Sequence, residues 1–261
     1  MPSFQATAAL LEQSLRTRRD LLGRRSTGVT RESLDRLSRT PAPLSQISNL
    51  KSEMPRGAQL DALREAVSAC RKCENLAASR TQTVFGSGNP QADLMFVGEA
   101  PGADEDRQGE PFVGRAGELL TKIIHAMGLT RDDIYIANVL KCRPDTAPGA
   151  SGNRPPEPLE MQRCLPYLRE QIAIIQPRIL VALGKTAMAG LTGRDEAMGA
   201  MRGRWFTFEN IPLLATYHPS YLLRNDSNAE KRKVWEDMML VMEKLGMPVS
   251  EKQRGFFRSA S

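Results

Sequence analysis

With 261 residues, 41% of them hydrophobic, the chain is long enough for one substantial core plus tails. No apolar run approaches the length of a bilayer span, and no charged segment followed by an apolar leader core opens the chain, so the expectation is a soluble cytoplasmic protein. The net charge of +6 is unevenly spread: residues 1–60 hold ten Lys and Arg against five Asp and Glu, which leaves 26 against 25 for the rest, so the basic excess is carried mainly by the N-terminal segment.

From Met1 to about Gly57 the composition is rich in Ser, Thr, Arg and Pro, which predicts a loosely ordered basic extension. Within it only Ala6–Leu22 shows helical spacing, and Thr40–Gly57, with Pro41, Pro43 and Pro55, reads as a linker. Leu60, Leu63 and Val67 then predict a helix that delivers Cys70 and Cys73 at its end. Four short apolar runs follow, at Asp93–Val97, Ile134–Leu140, Ile179–Leu183 and Leu213–Tyr217. Helical patterns lie among and after them at Ala116–Met127, Glu157–Ile175, Lys185–Leu191 and Ala229–Leu245. Strands alternating with helices predict a three-layer α/β/α sandwich with a central four-stranded parallel sheet. The expected division is an extension over 1–57, one domain over 58–247 and a short polar tail over 248–261.

The stretch Asp93–Gly117 organises the rest. Its apolar run breaks at Gly98-Glu99-Ala100-Pro101-Gly102, passes four acids and a second Gly/Pro turn, and enters a helical pattern near Arg115. In an open α/β sheet such a loop lies at the carboxyl ends of the strands, where ligands bind. The four cysteines, Cys70, Cys73, Cys142 and Cys164, comprise a C-x-x-C pair and two later thiols, better explained by a metal or redox site than by a disulfide framework. Zinc and iron–sulfur both suit four thiolates.

Three separated motifs coincide: G-E-A-P-G-A-D-E-D-R-Q-G-E-P-F-V-G-R-A-G at 98–117, Y-I-A-N-V-L-K-C-R-P at 135–144 and Y-H-P-S at 217–220. Together they resemble the family 4, iron–sulfur class of uracil-DNA glycosylases, over roughly residues 60–245. The resemblance implies an enzyme that extrudes uracil from DNA and hydrolyses its glycosidic bond. It further implies that Phe112 stacks on the base, that Asn138 pairs with its edge and that His218 donates to O2 as charge develops there. Glu99 and Glu105 are the matching functional carboxylates, with Glu105 handling water and Glu99 lining the base pocket beside Ala100. Asn153, in an N-R-x-P element, helps position that water. Leu222 or Leu223 fills the gap left by the flipped base, with Ser220 and Arg224 on phosphates. Cys70, Cys73, Cys142 and Cys164 match the ligands of a 4Fe–4S cluster. The implied partner is uracil-containing DNA and the implied state a nucleoid-associated monomer, with nothing in the sequence naming a partner for the extension.

The chain departs from the family pattern at residues 146–152, an inserted stretch between Cys142 and Asn153. Two other readings stay open. One is a module of the same fold that binds uracil-DNA without turnover, against which stand the G-E-A-P-G turn and the lack of histidine in 145–154. The other is a zinc-stapled α/β protein serving a different nucleotide-related task.

Overall fold

The computed structural model describes residues 54–144 and 153–258; the helix expected at Ala6–Leu22 and the 146–152 insertion lie outside them. The chain divides into Met1–Leu50 and Lys51–Ser261, and every element below belongs to the second unit. Its sheet has six strands: β1 (Ser87–Gly88), β2 (Leu94–Gly98), β3 (Tyr135–Asn138), β4 (Ile179–Leu183), β5 (Trp205–Phe208) and β6 (Ile211–Thr216). Their order is β1-β3-β2-β4-β6-β5. The four central strands are parallel, as the apolar runs predict, and β1 and β5 each add an antiparallel strand at an edge. β5 joins β6 through Glu209 and Asn210, both at positive φ (48° and 68°), the left-handed backbone that a two-residue hairpin needs.

The helices, in chain order, are α1 (Arg56–Ser68), α2 (Glu74–Ser79), α3 (Ala103–Gln108), α4 (Arg115–Ala126) and α5 (Pro158–Ile175). After them come α6 (Lys185–Thr192), α7 (Met198–Met201), α8 (Pro219–Arg224), α9 (Asn228–Leu245) and α10 (Glu251–Arg254). Side chains alternate across the sheet. Met95, Val97, Leu180, Ala182, Leu213 and Ala215 enter one core with residues of α1, α5 and α6. Leu94, Phe96, Ile179, Val181 and Leu214 enter the other, with residues of α4 and α9. All of β2 and β4 is buried, which is why these strands read as unbroken apolar runs. Each fully buried Leu, Ile, Val or Met contributes roughly 1.5–3 kcal/mol.

The helix ends show how the layers are fastened. Arg56, at the start of α1, donates to the Ile175 carbonyl at 2.9 Å and to Gln176 Oε1 at 2.7 Å, capping α5. The polar segment after Pro248 is docked as well. Trp235 Nε1 donates to the Gln253 carbonyl at 2.6 Å, and Gln253 Nε2 donates to the Ala126 carbonyl at 2.8 Å. No helix among the described residues is long and apolar enough to cross a membrane.

The register sets Gly98 beside Asn138 and Leu183 beside Thr216, so the carboxyl ends of the central strands share one edge of the sheet. After β2 the chain places β3 on one side and β4 on the other. The loops leaving this switch point diverge and open a crevice.

Candidate active site

A cavity of about 540 Å³ occupies that crevice, lined by Glu99, Ala100, Gly102 and Glu105 after β2, by Phe112, and by Asn138 at the end of β3. Its wall continues through Leu183, Gly184 and Lys185 after β4, and His218, Ser220 and Arg224 after β6, with Asn153 and Arg154 at the side. Nine of the ten expected base, sugar and phosphate residues therefore share one cavity.

Asn138 is 2% exposed, and its Oδ1 is a buried acceptor without a hydrogen-bond partner among the described residues. An unmet buried acceptor costs about 1–3 kcal/mol, a cost that a ligand donor would remove. Gly98 makes room for it: a Cβ there would lie 2.3 Å from Asn138 Oδ1 and 2.6 Å from the Phe112 ring. The requirement for glycine at the end of β2 is thus a requirement of the cavity.

Phe112 sits at φ 55°, a left-handed backbone unusual for an aromatic residue. Arg131 holds it there, donating to the Phe112 carbonyl at 3.2 Å and the Pro111 carbonyl at 2.8 Å. Gly117 on α4 lets that loop settle, since a Cβ there would fall 1.8 Å from the Phe112 carbonyl oxygen. The ring ends 5.6 Å, centroid to centroid, from that of His218, tilted by 35°. Gly117 closes the 98–117 motif, whereas Arg131 lies outside every motif.

His218 caps α8. The Ser220 N–H donates to its Nδ1 at 3.1 Å, and the Ser220 hydroxyl lies 2.8 Å from the same nitrogen. An imidazole whose Nδ1 accepts from a backbone N–H carries its proton on Nε2. Burial pushes the His218 pKa down to about 4; the Arg224 charge acts the same way and Glu105 opposes both. The ring is therefore neutral at pH 7 and offers one donor, Nε2–H.

The profile of the uracil DNA glycosylase superfamily matches residues 85–239, and so contains this cavity's lining from Glu99 to Arg224. The chain belongs to that superfamily. It is 43% identical over 183 residues to a protein of Thermotoga maritima named type-4 uracil-DNA glycosylase, covering 69% of this chain and 91% of that one. A protein of the same name from Archaeoglobus fulgidus is 38% identical over 190 residues, covering 68% and 92%. A type-5 uracil-DNA glycosylase of Thermus thermophilus is 28% identical over 196 residues.

Within this superfamily fold the two expected carboxylates are not equivalent. Glu105 is engaged by backbone: its Oε1 accepts from Val113 and Gly114 N–H at 3.0 and 3.1 Å, and its Oε2 from Gly102 N–H at 3.1 Å. It ties the two halves of the loop together. Glu99 is half-buried, and burial raises its pKa while a hydrogen bond with Thr186 pulls it back. Asn153 lies at the cavity wall, where its Oδ1 accepts from Arg143 Nε at 3.3 Å. Arg154 forks onto Glu160, donating to Oε2 at 2.9 Å and Oε1 at 2.7 Å.

The expectation for Leu222 needs correction. It is 3% exposed and belongs to the buried side of α8, whereas Leu223 is 38% exposed. Once His218 and Pro219 start a helix, consecutive leucines point to different sides of it, and of these two only Leu223 is exposed. Lys185, which no motif marks, also lines the cavity; its Nζ is 2.8 Å from Asp195 Oδ1.

Cys70, Cys73, Cys142 and Cys164 line a second recess, together with Leu76, Leu140 and Tyr167. Donors are directed at the sulfurs: Arg80 to Cys142 at 2.9 Å, the Lys141 N–H to Cys164 at 3.2 Å, Arg163 to Cys73 and Tyr167 to Cys70. Burial raises the Cys73 and Cys142 thiols and pushes Cys164 up to about 11, so binding a metal group here would release protons. The donor set is that of a thiolate-ligated group, with hydrogen bonds to sulfur already in place. Among the described residues no group of three or more His, Cys, Asp or Glu is arranged to hold a single metal ion.

Proposed function

We propose that the chain is a monofunctional uracil-DNA glycosylase, which flips uracil from DNA into the 540 Å³ cavity and hydrolyses its glycosidic bond to leave an abasic site. The observation that carries this is the unpartnered Asn138 Oδ1. Uracil presents N3–H as a donor and O4 as an acceptor, which suit the carbonyl and amino ends of one fixed amide. Cytosine reverses both and leaves unpaired groups. The names of the Thermotoga and Archaeoglobus relatives support the same activity.

Phe112 offers the base an apolar face. As the C1′–N1 bond breaks, its electron pair goes to uracil, and His218 Nε2–H donates to O2 where that charge gathers. Water adds at C1′, and Glu99 takes the proton it gives up. Glu105 shapes the loop instead, because three backbone N–H groups occupy its carboxylate. Leu223 fills the space vacated in the duplex, and Ser220, Arg224 and Asn153 stand at the rim for phosphate and water. The four thiols would hold a 4Fe–4S cluster, which would fasten α1, α2 and α5 to the segment after β3. Its chemistry there is thiolate ligation of iron.

The test is release of uracil from a labelled oligonucleotide, with alkali used to reveal abasic sites. Wild type is expected to turn over, with strand scission only after alkali. Scission without alkali would place an amine such as Lys185 at the sugar. Retention of uracil-DNA without release would make this a recognition module. Glu99→Gln should slow single-turnover release about 100-fold. Glu105→Gln should lower the melting temperature and the affinity for DNA more than the chemical step.

A second measurement concerns the thiols. Anaerobically purified protein should be brown, with iron and acid-labile sulfide in near-equal amounts, and Cys164→Ser should lose both and melt at a lower temperature. Stoichiometric zinc in a colourless protein would overturn the cluster.

A further inference from the structure

Lys141 lies between the cavity and the four thiols. Its side chain is buried, 1% exposed, so it cannot reach a DNA phosphate. Its Nζ donates to the Asn138 carbonyl at 2.9 Å and to Gln171 Oε1 at 2.5 Å, and its backbone N–H donates to Cys164 Sγ at 3.2 Å. Gln171 is itself held, its Nε2 donating to the Phe85 carbonyl at 3.0 Å and lying 3.4 Å from the Tyr135 hydroxyl. Among the described residues Lys141 forms no ion pair with a carboxylate.

The strand ladder explains what this contact replaces. On one side, β3 pairs with β2 as far as Gly98 and Asn138. On the other, β1 pairs only with Tyr135 and Ile136, two residues short of Asn138. The Asn138 carbonyl therefore has no strand neighbour on that side, and Lys141 Nζ takes the place of the missing ladder donor. Burying an amino group is costly, and a Leu or Met would fill the same space without that cost. What lysine adds is a donor fixed at both ends of its reach, at the peptide whose side chain carries the unpartnered Oδ1.

We propose that Lys141 is a positioning residue for base recognition: with Gln171, it locks the Asn138 peptide, so that the amide meets uracil N3 and O4 in one orientation, and it ties that orientation to the Cys164 side of the thiol site. The inference rests on the uracil-glycosylase reading of Asn138.

Lys141→Met keeps the length of the side chain and removes the donor. With Gln171→Met and the double variant, it is assayed for iron and sulfide, single-turnover release of uracil, inhibition by free uracil, and KM. Lys141→Met should keep its iron and lose about 10–100-fold in the single-turnover rate, as outer-shell partners do. The inhibition constant for uracil should rise, while KM for DNA, set by phosphate contacts, stays within about threefold. Gln171→Met should move in the same direction by less, and the double variant should be no worse than Lys141→Met, because the two act as one unit. A rate per bound cluster within twofold of wild type would overturn the proposal, as would a loss confined to KM. If Lys141→Met fails to retain iron, Gln171→Met decides: an iron-loaded protein with unchanged rate and uracil inhibition overturns it. Failure of wild type to release uracil would instead strike at the function itself.

Discussion

Asn138→Asp will cost uracil release about 10⁴–10⁵-fold, because a site built on buried polar groups rejects a mismatched edge by that order. The substitution is isosteric, so Gly98 and Phe112 keep their places around it, although burying a carboxyl group in place of the amide should lower the melting temperature. What changes is the amino end of the amide, which becomes an acceptor and faces uracil O4, also an acceptor. Cytosine gains at the same time. Its amino group can donate to the new oxygen, and its N3 can share a proton with the carboxyl group. That match needs one added proton, so cytosine release by the variant should rise as the pH falls, whereas its residual uracil release should not. Parallel single-turnover assays on oligonucleotides carrying one uracil or one cytosine, at several pH values, check both halves. Uracil release within tenfold of wild type would mean that Asn138 does not read the base edge and that its unpartnered Oδ1 has another purpose.

Much of the fold is legible from residues alone, for a physical reason. The four central strands are covered on both faces, and continuous apolar runs are what double burial demands. The edges are harder. Ser87–Gly88 is too short to show any period, and Trp205–Phe208 is exposed at two of its four residues, so neither stands out from a loop. In the site, the motifs mark positions but not orientations. Glu99 and Glu105 look alike in G-E-A-P-G-A-D-E. Only the folded loop shows that three backbone N–H groups converge on Glu105. Leu222 and Leu223 are adjacent leucines until a helix begins at Pro219 and turns one of them inward. Lys141 is a basic residue beside a cysteine, a context that reads equally as support for the thiol site or as a phosphate contact. Its burial, beside a β1 that ends short of Asn138, depends on tertiary packing that no local pattern contains.

Replacing His218 by Ala should slow uracil release about 10³-fold, the cost of losing a donor aimed at a developing oxyanion, and the wild-type pH profile should reveal how that donor works. Because burial pushes His218 down to about 4, the ring does not titrate between pH 5 and 8, and wild-type release should show no inflection near 6.5. The acid limb should instead belong to Glu99, whose pKa burial raises above the ordinary glutamate value. In Glu99→Gln the residual rate should therefore hold to lower pH, until His218 takes its proton near 4. Arg224→Ala removes a positive charge that depresses His218, so its imidazole should titrate higher than in wild type. Two histidines make this directly visible by NMR, with His125→Gln to assign the resonances. Stability carries the same sign. The folded pKa lies below the unfolded value of about 6.5, so the unfolded chain binds the proton first. The contribution of a neutral His218 is fully present above that value and is lost as pH falls towards 4, on the order of 3 kcal/mol across the window. Wild type should consequently lose more melting temperature over that range than His218→Gln does. A wild-type imidazole titrating near 6.5, with a matching inflection in uracil release, would mean that His218 acts as a charged acid and would sink the neutral-donor mechanism.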